Sequence, residues 1–240
     1  VVSGGVRRSA MISLSNLSDD RMRHAKSGNW WETAGHRALA NNSVSYTEKP
    51  DMETFLREWT ALVESKSGER GIFNRQASKK QAAKNDRRDT EWEFGTNPCS
   101  EIILRPYQFC NLSEVVVRAT DDLKSLSNKV KLATIIGTIQ SSLTKFPYLR
   151  KVWQNNTEEE RLLGVSLTGI MDNPLLTAKN KGLAQTLDHL RHVAVDTNKE
   201  WAERLGVQQS TAITCVKPSG TVSQLVDSAS GIHARHSQYY

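Results

Sequence analysis

Apolar positions along this chain alternate between two kinds of spacing. Short apolar runs bounded by glycine, proline and asparagine predict strands, and longer stretches with apolar residues three and four apart predict helices. Arg8 to Leu14 reads as a strand after a glycine-rich turn, and Asp19-Asp20 opens a short helix with acidic residues at its N-terminus. Phe55, Leu56, Trp59, Leu62 and Val63 share one face of a helix that Gly68 is placed to end. Glu101 to Leu104 and Leu112 to Val117 are candidate strands flanking an Arg105-Pro106-Tyr107 bend. Thr120-Asp121-Asp122 starts a long helix with Leu123, Leu126, Val130, Ala133, Ile136 and Ile139 as its buried stripe. Leu162 to Met171, interrupted by Gly164 and Gly169, reads as a buried strand. A second long helix carries Leu183, Leu187, Leu190, Ala194, Trp201 and Leu205 on one face, with Gly206 beyond it. Thr211 to Val216 is a short strand running into Lys217-Pro218-Ser219-Gly220-Thr221. Strands alternating with long helices predict an α/β architecture with a largely parallel sheet or barrel.

Composition narrows the class. A chain of 240 residues, 38% hydrophobic and 24% charged, can bury one substantial core or two small ones. Its apolar stretches, such as Leu132 to Ile139, fall well short of the roughly 20 residues a bilayer span needs, so no membrane role is expected. Three cysteines and no basic-plus-apolar leader point to a reducing, cytoplasmic compartment. The net charge of +6 favours an anionic partner. Part of it sits in Lys79-Lys80, Lys84 and Arg87-Arg88, which reads as a solvated loop because no aromatics are interleaved as nucleic-acid stacking platforms would be. The chain lacks an initiator Met, opens on Val1-Val2-Ser3-Gly4-Gly5 and stops at Tyr239-Tyr240, so a piece of a larger enzyme is expected.

Three segments carry candidate chemistry. In Asn97-Pro98-Cys99-Ser100-Glu101 a thiol and a carboxylate follow a turn-forming Asn-Pro, and Cys110-Asn111-Leu112 brings a second thiol. If the chain is extended after Cys99, its side chain and that of Glu101 share a side. A reactive thiol and a buried apolar cysteine both remain open on spacing alone. A zinc site is disfavoured, since the thiols have no CxxC spacing and no histidine lies close in sequence. Lys217-Pro218-Ser219-Gly220-Thr221 could offer backbone N–H groups and hydroxyls to an anion, or be an ordinary turn. Ser3-Gly4-Gly5-Val6-Arg7-Arg8 is a flexible cationic turn or a plain strand entry. Cys215 reads as a packing residue, and His233 with His236 lacks the company of a metal-ligand set.

Asn97-Pro98-Cys99-Ser100-Glu101-Ile102, Arg105-Pro106-Tyr107 and Cys110-Asn111-Leu112 closely resemble the active-site segment of ribonucleotide reductase large chains, above all the monomeric, adenosylcobalamin-dependent ribonucleoside-triphosphate reductases. The resemblance implies a ten-stranded α/β barrel with the active-site cysteine on an inner loop. Residues 1–240 would be a central part of it, incomplete at both ends. It implies that Cys99 carries a thiyl radical, that Glu101 is a general base and that Asn97 holds the ribose hydroxyls. Cys110 would be one of two reducing thiols, with its partner upstream of this chain. Ser219, Gly220 and Thr221 would grip substrate phosphates, and Gly4, Gly5, Arg7 and Arg8 would belong to a specificity loop between effector and substrate. The implied partners are a ribonucleoside triphosphate, a deoxynucleotide effector and a thioredoxin-like reductant, with the complete protein a monomer that binds no nucleic acid. Adenosylcobalamin would bind mostly outside these residues, and the isolated piece is expected not to turn over. A metal-dependent class I large chain and a non-catalytic nucleotide-binding remnant are the alternatives.

Overall fold

A computed structural model describes residues 11–84, 86–235 and 237. The chain divides into two compact units, Val1–Pro106 and Tyr107–Tyr240. Both are mixed α/β.

In the first unit, β1 (Met11–Ser15), β2 (Ala40–Tyr46) and β3 (Gly71–Asn74) form a parallel sheet in the order β1-β2-β3. Met11 pairs with Ala40 and Ser43 with Gly71. Parallel neighbours require crossovers. The first contains α1 (Asp20–Arg23), α2 (Trp30–Thr33) and a 3-10 turn at Gly35–Leu39, and the second contains α3 (Met52–Ser65). Asp51 caps α3 by accepting the Thr54 N–H at 2.8 Å. The helix stops at Lys66, which takes the left-handed conformation at φ +53°, before the expected Gly68 is reached.

The buried face of α3 differs from the apolar pattern. Leu56, Trp59 and Val63 are more than half exposed, whereas Glu58 and Ala61 are buried. The cause is an ion cluster beneath the helix. Arg70 donates to both Glu58 oxygens at 3.0 and 2.6 Å, and Arg23 Nε donates to Glu58 at 2.5 Å. Burial alone would raise the Glu58 pKa, but the two guanidinium groups more than offset it and hold it below the ordinary range.

The basic run after β3 also departs from expectation. Residues Arg75–Ala83 form α4, started by Asn74 accepting the Ala77 N–H at 2.9 Å, so Lys79 and Lys80 are helical rather than in a loop. Beyond it, β4 (Gly95–Thr96) and β5 (Ile103–Leu104) make a two-stranded antiparallel hairpin.

The second unit is built on β6 (Asn111–Val116) and β7 (Leu163–Thr168), paired in parallel with Glu114 opposite Ser166 and Val116 opposite Thr168. Between them come α5 (Leu123–Ser141) and α6 (Lys151–Glu160), and after them α7 (Leu183–Leu205) and the short α8 (Thr221–Leu225). The segment expected as a strand at Thr211 to Val216 makes a single parallel bridge, Thr214 to Val165. Val115, Val117, Leu126, Val130, Leu163, Val165, Leu190, Ala194 and Ile213 form the core.

Here too the buried stripe is narrower and smaller than the sequence pattern predicts. On α5, Leu126, Val130 and Ala133 are buried as expected, but Leu123, Ile136 and Ile139 are 40 to 56% exposed, and Thr134, Gly137 and Thr138 take the inner positions. Small residues let α5 come close to its neighbours. A Cβ on Gly137 would lie 3.4 Å from Leu163, and Asn198 of α7 donates to the Thr138 hydroxyl at 3.0 Å. On α7, Leu190 and Ala194 are buried, whereas Leu187 and Leu205 are exposed. Gly206 ends α7 in the left-handed conformation, as its position predicts.

Candidate functional site

The hairpin of β4 and β5 presents Cys99 at its tip. Asn97, Pro98, Cys99 and Ser100 form a tight turn closed by the Ser100 N–H donating to the Asn97 carbonyl at 2.9 Å. Proline sets the second position of the turn, and Ser100 is left-handed at φ +63°. The side-chain oxygen of Asn97 accepts the Ile102 N–H at 3.0 Å and so ties the two arms together. That leaves the Asn97 amide NH2 as the group able to donate to a ligand. Three side chains outside the hairpin fix its backbone: Asn41 of β2 donates to the Pro98 carbonyl, Arg75 to Phe94 and Arg88 to Ile103. Sequence reasoning missed these anchors. The asparagine pair at the start of β2 is the one local signal for them.

Cys99 is exposed. Glu101 follows two residues later, but the extended strand assumed there does not exist; β5 starts only at Ile103. The turn and left-handed Ser100 interrupt strand alternation, so the shared side of Cys99 and Glu101 does not follow from it. Both Glu101 carboxylate oxygens are instead buried with no hydrogen-bond partner among the described residues. A buried polar group without a protein partner is uncommon and marks the position as one that a ligand could complete. Arg105, beyond the hairpin, is buried with its guanidinium over the Trp92 ring at 4.7 Å.

Cys110 and the Lys217–Thr221 loop belong to the second unit. Cys110 is half-buried immediately before β6. The β6 and β7 strands have an apolar face in the core and an opposite face bearing Glu114, Ser166 and Thr168. The 217–231 segment is fastened to that second face. Lys217 N–H donates to the Ser166 hydroxyl at 3.0 Å, Gly231 N–H to the Thr168 hydroxyl at 3.0 Å, and the Ser219 hydroxyl to Glu114 at 3.4 Å. Ser230 donates to the Ser219 carbonyl. Ser219 is buried, whereas Gly220 and Thr221 are exposed, and a Cβ on Gly220 would meet nothing within 4 Å. The loop therefore has a fixed base and an open rim. Glu114 was not anticipated, because an isolated acid in an apolar strand carries no motif.

Asn97, Cys99 and Glu101 are thus gathered on one hairpin, and Ser219, Gly220 and Thr221 on one loop. Gly4, Gly5, Arg7 and Arg8 lie outside the described residues, as do His236, Tyr239 and Tyr240. Cys215 is half-buried, with its N–H donating to Val165 at 3.0 Å. Among the described residues, no group of three or more His, Cys, Asp or Glu side chains is placed to hold a metal ion. No described helix is long and apolar enough to cross a membrane.

No family model matches the chain. Curated relatives match it over its whole length, each named adenosylcobalamin-dependent ribonucleoside-triphosphate reductase. The chain is 30% identical to that of Lacticaseibacillus paracasei over 270 aligned positions, 28% to that of Levilactobacillus brevis over 269 and 29% to that of Lactobacillus gasseri over 270. It covers 35% of each relative, so it spans about a third of the length of the proteins it matches. Among solved structures it resembles a B12-dependent class II ribonucleotide reductase, with a TM-score of 0.69 and 24% identity over 94% of this chain and 34% of that one. It also resembles the class Id ribonucleotide reductase alpha subunit of Actinobacillus ureae, with a TM-score of 0.65 and 14% identity over 95% of this chain and 50% of that one. These structural likenesses show the fold.

Proposed function

We propose that this chain is part of the catalytic chain of an adenosylcobalamin-dependent ribonucleotide reductase, contributing the radical cysteine and the substrate-phosphate loop of its barrel. The observation that carries the reading is the Cys99 hairpin: an exposed thiol on a braced turn, with a carboxylate two residues on whose oxygens are buried and have no hydrogen-bond partner among the described residues. The full-length match to reductases named for that cofactor supports it. On this reading residues 1–240 are a central part of a ten-stranded barrel domain, with Cys99 on its inner loop.

The chemistry assigned to this chain begins once Cys99 carries a sulfur radical. Adenosylcobalamin would supply that radical when bound, at a site mostly outside these residues. The Cys99 radical takes the ribose 3′-hydrogen atom; S–H and activated C–H bonds are similar in strength, so the transfer is reversible. Glu101 accepts the 3′-hydroxyl proton, and the 2′-hydroxyl takes a proton from the reducing thiols and leaves as water. The Asn97 NH2 holds the sugar hydroxyls in register. Cys110 and a second thiol outside this chain supply two electrons and end as a disulfide. Cys99 then returns the hydrogen atom to the 3′-carbon and is left as the radical again. The Ser219-Gly220-Thr221 loop holds the phosphates of a ribonucleoside triphosphate. Gly4, Gly5, Arg7 and Arg8 serve the specificity loop that answers a deoxynucleotide effector. A thioredoxin-like dithiol regenerates the pair, and the complete protein works as a monomer.

Substituting Cys99→Ser in the complete protein tests the assignment. Deoxynucleotide formation should be abolished while nucleotide binding persists; full turnover would overturn the radical role. Electron paramagnetic resonance with adenosylcobalamin and substrate should give a cobalt-coupled radical. A tyrosyl or metal-cluster signal alone would favour the class I alternative.

A further inference from the structure

Glu114 poses a problem for the loop it supports. It is the one ionisable side chain on the second face of the β6–β7 pair, and it sits against Ser219 of the loop read above as gripping phosphates. Its Oε2 accepts the Ser219 hydroxyl at 3.4 Å, while its Oε1 is buried with no hydrogen-bond partner among the described residues. An ionised carboxylate in the wall of an anion site opposes the ligand, and a neutral carboxyl does not. The groups around it sharpen the point. Ser166, directly across on β7, is uncharged, and among the described residues Lys217 is the charged group that acts on Glu114. Burial pushes the Glu114 pKa up, with the Ser219 hydrogen bond and the Lys217 charge pulling the other way.

We propose that Glu114 is a positioning residue that couples anion binding in the Lys217–Thr221 loop to uptake of a proton. This rests on the phosphate-binding reading of that loop. Without an anion, the Ser219 O–H donates to the Glu114 carboxylate and fixes the hydroxyl. An arriving phosphate oxygen recruits that same O–H. The carboxylate then loses the Ser219 donor, its buried position favours the neutral form, and it takes one proton from solvent. No covalent bond forms or breaks at the ligand. The sign follows from linkage: binding raises the Glu114 pKa further, so affinity is greatest below the anion-free value. It weakens by about tenfold per pH unit up to the anion-bound value and is level above it.

Calorimetry of the full chain with inorganic tripolyphosphate, in buffers of different ionisation enthalpy, counts the protons taken up. Wild type should take up as much as about one proton more than Glu114→Gln. The ligand's own ionisation is common to both proteins and cancels. Glu114→Gln, neutral at every pH, should bind roughly tenfold tighter than wild type at alkaline pH for each unit of the lost window. Ser219→Ala, which has no O–H to surrender, should also show reduced uptake, and it decides the matter if Glu114→Gln fails to give a native circular-dichroism spectrum. Binding with the same proton count in wild type and in the folded variants would overturn this inference alone. Failure of wild type to bind tripolyphosphate at any pH would overturn it together with the reading of the loop.

Discussion

Glu101 separates stability from activity. Its carboxylate oxygens are buried with no hydrogen-bond partner among the described residues, so no hydrogen bond of theirs holds the fold together. Glu101→Gln keeps the shape and removes the charge. The variant should melt no lower than wild type by circular dichroism. In the complete protein it should lose about 10²- to 10⁴-fold in turnover, the usual contribution of a general base. A large loss of stability instead would mark Glu101 as a structural group. The residue types at this site were legible in the sequence because Asn-Pro, Cys and Glu fall in one short, recognisable segment. The arrangement was not. A left-handed Ser100 and a turn replaced the expected strand, and neither is encoded by alternation of apolar and polar positions.

At the scale of elements, α5 shows where periodicity reads correctly and where it misleads. The helix begins where Asp121-Asp122 predicts, with Asp122 accepting the Ser125 N–H at 2.7 Å in a reciprocal capping box. Its buried face, however, is chosen by fit rather than by hydrophobicity: Thr134, Gly137 and Thr138 go inward because larger side chains would hold α5 away from β7 and α7. Their hydroxyls remain satisfied, Thr134 donating to Val130 O and Thr138 to Thr134 O. Leu126→Ala, at a fully buried position, should therefore cost about 2–5 kcal/mol in denaturant unfolding. Ile136→Ala, at 56% exposure, should cost less than about 1 kcal/mol. Equal losses would restore the sequence-derived stripe. The exposed apolar residues of α3 have a parallel origin, since no hydrophobic pattern shows that two arginines from other elements need Glu58 beneath that helix.

Across the whole molecule, acid is the sensitive direction. Burial would raise the carboxyls of Glu58 and Asp172, yet arginines hold both below their ordinary values: Arg70 and Arg23 at Glu58, Arg235 at Asp172. A depressed folded pKa contributes stability above the unfolded value, and that stability is lost as pH falls through the folded one. Glu114 is opposite in sign: its raised pKa contributes below the unfolded value and is lost as pH rises. Asp51, Asp121, Asp122, Glu158 and Asp188 are also held below their ordinary values, so among the described carboxyls the depressed ones outnumber Glu114, and melting temperature should fall steadily as pH drops below the ordinary glutamate value of 4.5. Glu58→Gln should flatten the acid limb of that curve while costing about 3–5 kcal/mol at neutral pH, because it leaves two buried guanidinium groups short of a counter-charge. The α/β class and the alternation of strands with long helices were legible from spacing alone. The parting into two units was not, because nothing in composition changes at Pro106.

The fastening of the 217–231 segment also makes its order conditional on other elements. Its side-chain partners Glu114, Ser166, Thr168 and Asp172 all precede it in the chain, and Ala229 N–H donates to Asp172 at 2.8 Å. Hydrogen bonds spanning so much sequence carry a loop-closure entropy that is offset only after β6 and β7 have paired. The segment read as the ligand-gripping loop thus rests on a platform that the paired β6 and β7 supply. It is also the first part of this unit whose ordering depends on contacts that something else must hold in place.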